Sequence, residues 1–349
     1  MSYVLKRIGT FIWMLWVATT LNFIIPRLMP GNPAEALYGK FQGQLSPAAM
    51  QAMEIQFGVN TGVPLWKQYL TYLWNMLHLN FGISYNFYPT KVSTIIGHSL
   101  PYTIGLVGIS LIIAFAVGTV LGIYGAWKRN GALDSIQSPV LLFLQSVPAF
   151  WLGLMMLFYF GFIKGWFPDS HAYSDGATPS FTWGFIGDLL WHATLPGLAL
   201  ILTGLGGWML GMRNMMVQTL GDDYITFAEA KGAPQRTLML RYAARNAILP
   251  NFTGFGQALA AVVSGSVLVE TIFSYPGIGY TLQQGILAED YPLIQGIFLI
   301  IAVVTLFANM IVDILYVRLD PRAENGGTQR ENNTDSPRFG FSRRATPEI

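Results

Sequence analysis

The feature that most constrains this chain is the length of its charge-free stretches. Runs without Asp, Glu, Lys or Arg cover residues 8–26, 92–127, 135–163, 189–212, 246–269 and 291–312. A helix needs roughly 20 mostly apolar residues to cross the hydrocarbon core of a bilayer, and all six runs reach that length to within a residue. The apolar residues are gathered in blocks rather than spread over periodic faces, so a membrane fold is expected. Composition agrees. The chain is 52% hydrophobic and only 11% charged, against about 25% charged for soluble domains. A net charge of +2 gives no footprint for nucleic acid. The absence of cysteine excludes disulfides, Cys-ligated zinc and thiol chemistry, and leaves the compartment open.

Two further uncharged runs read differently. Residues 68–90 contain Gln68, Asn75, His78, Asn80, Asn86 and Pro89, the pattern of an amphipathic segment lying at the interface. Residues 271–288 hold Pro276, three glycines and two glutamines, which suits a loop, external or re-entrant. Lys6 and Arg7 before an apolar run resemble the start of a signal peptide. However, "FIWMLWVATTLNFIIP" is longer than the usual apolar core of one, and no small-residue cleavage site follows. It is taken as helix one. The expected fold is therefore an all-α integral membrane protein with six transmembrane helices.

Orientation follows from the bases. With the N-terminus inside, the inner side carries eleven: Lys6, Arg7, Lys128, Arg129, Arg213, Lys231, Arg236, Arg241, Arg245, Arg318 and Arg322. The outer side carries five, Arg27, Lys40, Lys67, Lys91 and Lys164, despite its longer loops. Both termini are expected in the cytoplasm.

The chain then divides into helix one (1–30), an extracytoplasmic segment (31–99), a five-helix core (100–322) with a polar cytoplasmic loop at 213–250, and a polar tail (323–349) of disordered composition. Helix one ends at "RLMPGNP", where Pro30 and Pro33 forbid continuation. Helical patches are expected around 46–57 and 65–79. Helix two opens at Pro101, a tolerated first-turn position. Pro148 in "QSVPAF" kinks helix three. Helix four starts near Leu195, and its "LTGLGGW" allows close helix packing, as does "SGS" at 264–266 in helix five.

Enzymatic signatures are missing. There is no G-x-x-x-x-G-K-[ST] loop, no H-E-x-x-H and no G-x-S-x-G, and the four histidines are scattered. A secondary carrier is the stronger rival, yet such carriers place ionisable residues deep in their helices. Here the spans are almost free of charge, with Glu270 and Asp313 near helix ends. A transporter of this composition draws its energy from elsewhere, and that needs a cytoplasmic handle. Residues 222–250 suit one. Asp222 and Asp223 favour a helix N-terminus, and Tyr224 to Lys231 make about two turns. Gly232 with Pro234 breaks the helix. A second helix, about 235–247, returns to the membrane, and Pro250 begins the next span.

"YITFAEAKGAPQRTLMLRYAARNAILP" resembles the cytoplasmic EAA loop of bacterial ABC importer permeases of the dipeptide/oligopeptide/nickel group. "RLMPGNP", "LNFGISY", "QSVPAFWLGL", "ETIFSYPGIGYTLQQGILAEDYPLIQG" and "VDILYVRLDPR" resemble further segments of that family in the same order, up to about residue 322. The resemblance implies an EAA-type coupling helix held in a groove of an ATPase subunit. Asp223, Tyr224, Thr226, Ala228, Glu229 and Lys231 would face or support that contact, with Gly232 making the turn. The generic importer glutamate lies six residues before the glycine, where this chain has Thr226. It implies a second homologous permease subunit, two ATPase subunits carrying ATP and Mg, and an extracytoplasmic solute-binding protein. This chain would hold no cofactor and no metal, would have no catalytic residue, and would sit in a bacterial or archaeal cell membrane. Glu270, Thr271 and Phe273, at the outer end of helix five, are either capping and packing residues or a contact with the binding protein. Gln145, Pro148 and Trp151 are candidates to line the path, although Gln145, Asn22 and Asn309 equally suit hydrogen bonds between helices. The group's substrates lead to peptides as the expected cargo, with oligosaccharides as the alternative. The 14% aromatic content suits sugar stacking, but interface belts account for it as well.

Overall fold

The computed structural model describes the backbone of residues 2–28, 63–129, 131–264 and 266–319, with the side chains of 2–6, 25–28, 133 and 313–319 left aside. The expected patch at 46–57, the break at Pro30 and Pro33, and the tail from 323 lie outside the described residues. Eleven helices occur in chain order among the described residues: α1 (Ser2–Leu28), α2 (Leu65–Leu77), α3 (Val92–Trp127), α4 (Ala132–Ser146), α5 (Ala149–Ile163), α6 (Trp183–Thr219), α7 (Asp223–Ala230), α8 (Gln235–Ser264), α9 (Val267–Ile272), α10 (Ile278–Leu287) and α11 (Tyr291–Leu319). One isolated antiparallel bridge, Ile83 to Lys91, is the remaining regular pairing among them. The protein is all-α and a multi-pass membrane protein. The helices α1, α3, α6, α8 and α11 are each long and apolar enough to span, and a sixth span exists if α4 and α5 are counted as one.

Prolines account for most departures from the expected boundaries. The second spanning helix does not open at Pro101. It begins at Val92, whose side chain is fully buried beside Gly296 and packs in a cluster with Ile96, Ile278, Leu293 and Ile297. That packing outweighs the proline, and the backbone widens into a π-turn at Ile104–Gly108 just beyond it. Likewise α6 starts at Trp183 rather than Leu195, with Thr182 accepting a hydrogen bond from the Phe185 amide (3.4 Å) and Pro196 inside the helix. Pro250 does not begin a span but lies within α8, which runs unbroken from the polar loop. At Pro148 the opposite happens. Val147 and Pro148 are both extended, and α4 and α5 meet at 96°, a full break in place of a kink. The 271–288 segment is not a loop, since α10 fills most of it.

The bundle is held by close backbone approach. Hydrophobic attraction between helices is weak in lipid, so small residues that let backbones touch do much of the packing. Gly118 and Gly122, a G-x-x-x-G pair on α3, face α6. A Cβ on Gly122 would lie 2.5 Å from the Met209 carbonyl oxygen and 2.8 Å from the Met212 Cβ. Gly206 of "LTGLGGW" plays the same part against the Leu141 carbonyl and Gln145 of α4. α8 ends at Ser264, and α9 begins at Val267. α1 is locked to α11 by a reciprocal pair: Asn22 donates to the Gln295 carbonyl (2.8 Å) and Gln295 donates to that of Asn22 (3.0 Å). α2 buries no residue and lies along α1, with the Thr20 and Tyr69 hydroxyls 2.7 Å apart.

Candidate functional site

The polar loop folds as the short helix α7, closed by hydrogen bonds at its C-terminal end. Asp222 sits at the N-cap without a side-chain capping bond, and Asp223 occupies the first turn, where its charge meets the helix dipole. The C-terminal end closes on hydrogen bonds from the Gly232 amide to the Glu229 carbonyl (2.8 Å) and from the Ala233 amide to the Ala228 carbonyl (3.2 Å). This is the Schellman pattern, and it requires a left-handed residue after the cap. Gly232 supplies it with φ 80°.

One face of α7 is buried. Ile225 enters a cluster with Ala126 of α3, Met212 and Met216 of α6, and Met239, Ala243 and Ala247 of α8, and Ala228, three residues on, is buried as well. Three spanning helices therefore end on the same short helix. Tyr224 ties it further to α8: its hydroxyl accepts from the Asn246 amide (2.8 Å) and donates to the Tyr242 carbonyl (3.4 Å). Of the residues expected at this site, Ala228 is buried, whereas Asp223, Tyr224, Thr226, Glu229, Lys231 and Gly232 are exposed. The outward face has a residue that the sequence reading passed over. Phe227 is 62% exposed, and the Lys231 ammonium stands 4.2 Å over its ring. The signal was present in the spacing, since Tyr224, Phe227 and Lys231 fall at i, i+3 and i+7 on one helical face.

A second feature connects the seat to the broken helix pair. Arg213, next to Met212, makes a bidentate ion pair with Asp134 of α4, at 2.6 Å from Nε and 2.8 Å from a terminal nitrogen. Asp134 is nearly fully buried and also accepts from Ser138 (3.1 Å). Gln137 donates to the Leu121 carbonyl (3.2 Å) and lies against Gly125, where a Cβ would collide with its amide. α3, α4 and α6 are thus bound to one another beside α7. The sequence reading counted Arg213 among the inner bases but did not pair it.

The path candidates all lie at the α4–α5 break. Gln145, Pro148 and Trp151 are all exposed on the chain's surface around the α4–α5 break, with Gln145 against Gly206 and Gly207.

The structure places the outer candidates in internal contacts, as the capping and packing reading expects. Glu270 and Phe273 are buried, and Thr271 is partly buried and bonded to Gln283. Their work is internal. The Glu270 carboxylate accepts from the Thr103 hydroxyl (2.9 Å) and from the amides of Gly279 (2.7 Å) and Tyr280 (3.2 Å). Thr103 in turn accepts from the Ile278 amide (2.7 Å). Together they satisfy the first amides of α10 and tie it to α3. Burial raises the Glu270 pKa above the ordinary carboxylate value, against the lowering effect of these bonds. Phe273 packs on Gly153 of α5, 3.1 Å from where a Cβ would stand. An analogous anchor holds the segment before α3, where Asp290 accepts from the Ser84 hydroxyl and the Asn86 amide (2.9 Å).

Comparison with known proteins agrees with this arrangement. Residues 118–325, which include α7 and its seat, match the model of the family described as binding-protein-dependent transport system inner membrane component. The chain is 32% identical over 321 residues to the dipeptide transport system permease protein of Lactococcus lactis subsp. cremoris, covering 92% of this chain and 98% of that one. It is also 32% identical over 324 residues to the oligopeptide transport system permease protein of Bacillus subtilis, covering 93% and 99%. A short helix seated on three spanning helices, a matching family model over most of that region and relatives aligned almost end to end lead to one conclusion: this chain belongs to the family of binding-protein-dependent transport system inner membrane components.

Proposed function

We propose that this chain is a permease subunit of an ATP-driven peptide importer, and that α7 is the helix through which ATPase subunits move it. The observation that carries this reading is the two-faced character of α7. Ile225 packs on the ends of α3, α6 and α8 and Ala228 is buried too, while Tyr224, Thr226, Phe227 and Glu229 of this eight-residue helix, and Lys231 just past it, remain exposed. A rigid element with one anchored face and one open face transmits a push; a solvated connector has no need of the anchor. The relatives named for dipeptide and oligopeptide transport support peptides over oligosaccharides as cargo.

In this reading the partners are a second, homologous permease subunit, two ATPase subunits that bind ATP and Mg and carry out hydrolysis, and a solute-binding protein outside. Both termini and α7 lie in the cytoplasm. ATP binding closes the ATPase pair, α7 moves with it, and α3, α6 and α8 follow because they share its seat. The permease halves rock between inward and outward access. The Asp134–Arg213 pair passes the movement to α4. Gln145, Pro148 and Trp151 flank the path, since a broken helix leaves backbone groups for a passing solute.

The test is co-purification of the tagged chain from its native membrane in mild detergent, with mass spectrometry of what accompanies it. The expected result is P-loop ATPases and a second six-span protein. Phe227→Ala should lower ATPase capture tenfold or more, as removal of an aromatic anchor at an interface does, without lowering the yield of the folded chain. Recovery of the chain alone, or capture unchanged by Phe227→Ala and by Gly232→Val together, would sink the coupling role.

A further inference from the structure

α8 is tied to its neighbours on both sides of a proline. On the side of α7, Asn246 donates to the Tyr224 hydroxyl (2.8 Å). Directly after the proline, Asn251 donates to the Trp208 carbonyl of α6 (3.1 Å). Asn251 is buried, and no other polar side chain of α8 is buried among the described residues. Its approach depends on Gly211 of α6, where a Cβ would lie 2.5 Å from the Asn251 Oδ1. Both members of this tie stand one turn beyond the α7 seat: Asn251 follows Ala247, and Trp208 precedes Met212.

Pro250 separates the two ties. It has no N–H to offer the Asn246 carbonyl, so one rung of the helix is missing there, and helices bend most readily where a rung is lost. Past this joint α8 has two neighbours. Gly254 lies against the Trp208 ring of α6, with an added Cβ 3.6 Å away, and Gly256 lies against Val312 of α11, with an added Cβ 3.1 Å away. α6 shares the α7 seat, whereas the seat cluster contains no residue of α11 among the described residues. Apolar contact in lipid sets little preference between two such neighbours. The Asn251 bond is directional, and it points to α6.

We propose that Asn251 is a positioning residue that carries the movement of α7 past the Pro250 joint, by holding residues 251–264 of α8 to α6 rather than to α11. The inference rests on the coupling role of α7 and adds the contact that makes α6 and α8 move as one. The packing around the tie brings in α3: Trp208 stands edge-on to Phe115 (5.3 Å between ring centroids), and Phe115 stacks on Phe255 of α8 (4.3 Å). Without the Asn251 bond, α8 bends at Pro250 and the movement is lost in the bend.

The test is the distance between two nitroxide labels, one on α6 and one on α8, read by pulsed electron paramagnetic resonance in the complex purified in mild detergent. The chain has no cysteine, so Leu198→Cys with Leu259→Cys, both at exposed positions, place the pair. The unaltered chain gives the background from co-purifying subunits. α6 runs towards the seat and α8 away from it, so both labels lie beyond the tie. With Asn251 present, one narrow distance is expected, the same in ADP as in ATP with vanadate. Asn251→Leu removes the donor at similar volume. It should broaden the distribution by about 4 Å, the sideways travel of Leu259 for a bend of about 20° at the joint, and make it depend on nucleotide. Asn251→Ala reads the same change if the leucine variant does not fold. Pro250 is exposed, so Pro250→Ala restores the rung without opening the packing, and added to Asn251→Leu it should narrow the distribution again. A packing role for Asn251 alone predicts no such rescue. An unchanged distribution without Asn251, a broadened one that Pro250→Ala fails to narrow, or a distance that shifts with nucleotide while Asn251 is intact would each overturn the proposal. Absence of ATPase subunits from the purified complex would refute the coupling reading instead, and the nucleotide-free widths would still decide whether Asn251 holds the joint.

Discussion

Replacing Gly232 separates a conformational role from a steric one. Its φ of 80° is a region that L-residues enter at a cost, and no atom outside its own chain neighbours lies within 4 Å of an added Cβ. The penalty is therefore backbone strain alone. Alanine in the left-handed region costs about 1–2 kcal/mol, a β-branched residue more, and asparagine less because its side chain is suited to that region. The two closing bonds, Gly232 to Glu229 and Ala233 to Ala228, hold only while that φ is kept. A cost of about 1.4 kcal/mol lowers the ratio of closed to frayed α7 about tenfold, which takes the closed fraction from about one half to about one tenth if the two forms start near balance. The variants Gly232→Asn, Gly232→Ala and Gly232→Val should then lose ATPase capture in that order, read as co-purified ATPase per permease. The melting temperature of the membrane part should stay within a degree or two, because the residue is exposed and outside the core. Asparagine performing no better than alanine would refute the conformational account, and a loss that followed side-chain volume alone would point to a crowded contact with the partner instead.

Three other perturbations test the remaining geometry. Asp134→Asn leaves Arg213 without its bidentate partner beside a buried position and should cost about 3 kcal/mol, seen as a lowered melting temperature in detergent; Arg213→Lys should recover only part, having lost the fork. Gly122→Leu forces a side chain into the Met209 carbonyl and Met212, and should separate α3 from α6 at a cost of about 3 kcal/mol or more, visible as loss of a monodisperse species on size-exclusion chromatography. Glu270 has a raised pKa in the folded chain, so its contribution to stability is full below the ordinary carboxylate value and falls as pH rises through the folded one. The melting temperature should accordingly decline over that range, and Glu270→Gln, which keeps the acceptor for Gly279 and Tyr280, should flatten the decline.

Much of this molecule was legible locally. Span count and type follow from uncharged run length, because crossing hydrocarbon demands a fixed number of apolar residues whatever the neighbours are. The bounds of α7 and the turn at Gly232 also follow from residues within a few positions of one another, since capping and positive φ are satisfied inside a single turn. The order of short signatures was enough to indicate the family.

What the sequence left open was decided by contacts between residues far apart in the chain. Proline carries the same local instruction at 101, 148, 196 and 250, yet three of these positions lie within helices and one breaks its helix at 96°. At Pro101 the burial of Val92 against Gly296 holds the preceding turns in place. Whether Glu270 and Phe273 pack internally or meet a partner is not legible locally, because nothing nearby in sequence reveals Thr103 or Gly153 as their partners. The Asp134–Arg213 pair spans 79 positions and the Asn22–Gln295 pair 273. Local composition tells a chain where helices form; which faces they bury, and therefore which side chains are left for a partner, depends on free energies shared between segments that meet only after folding.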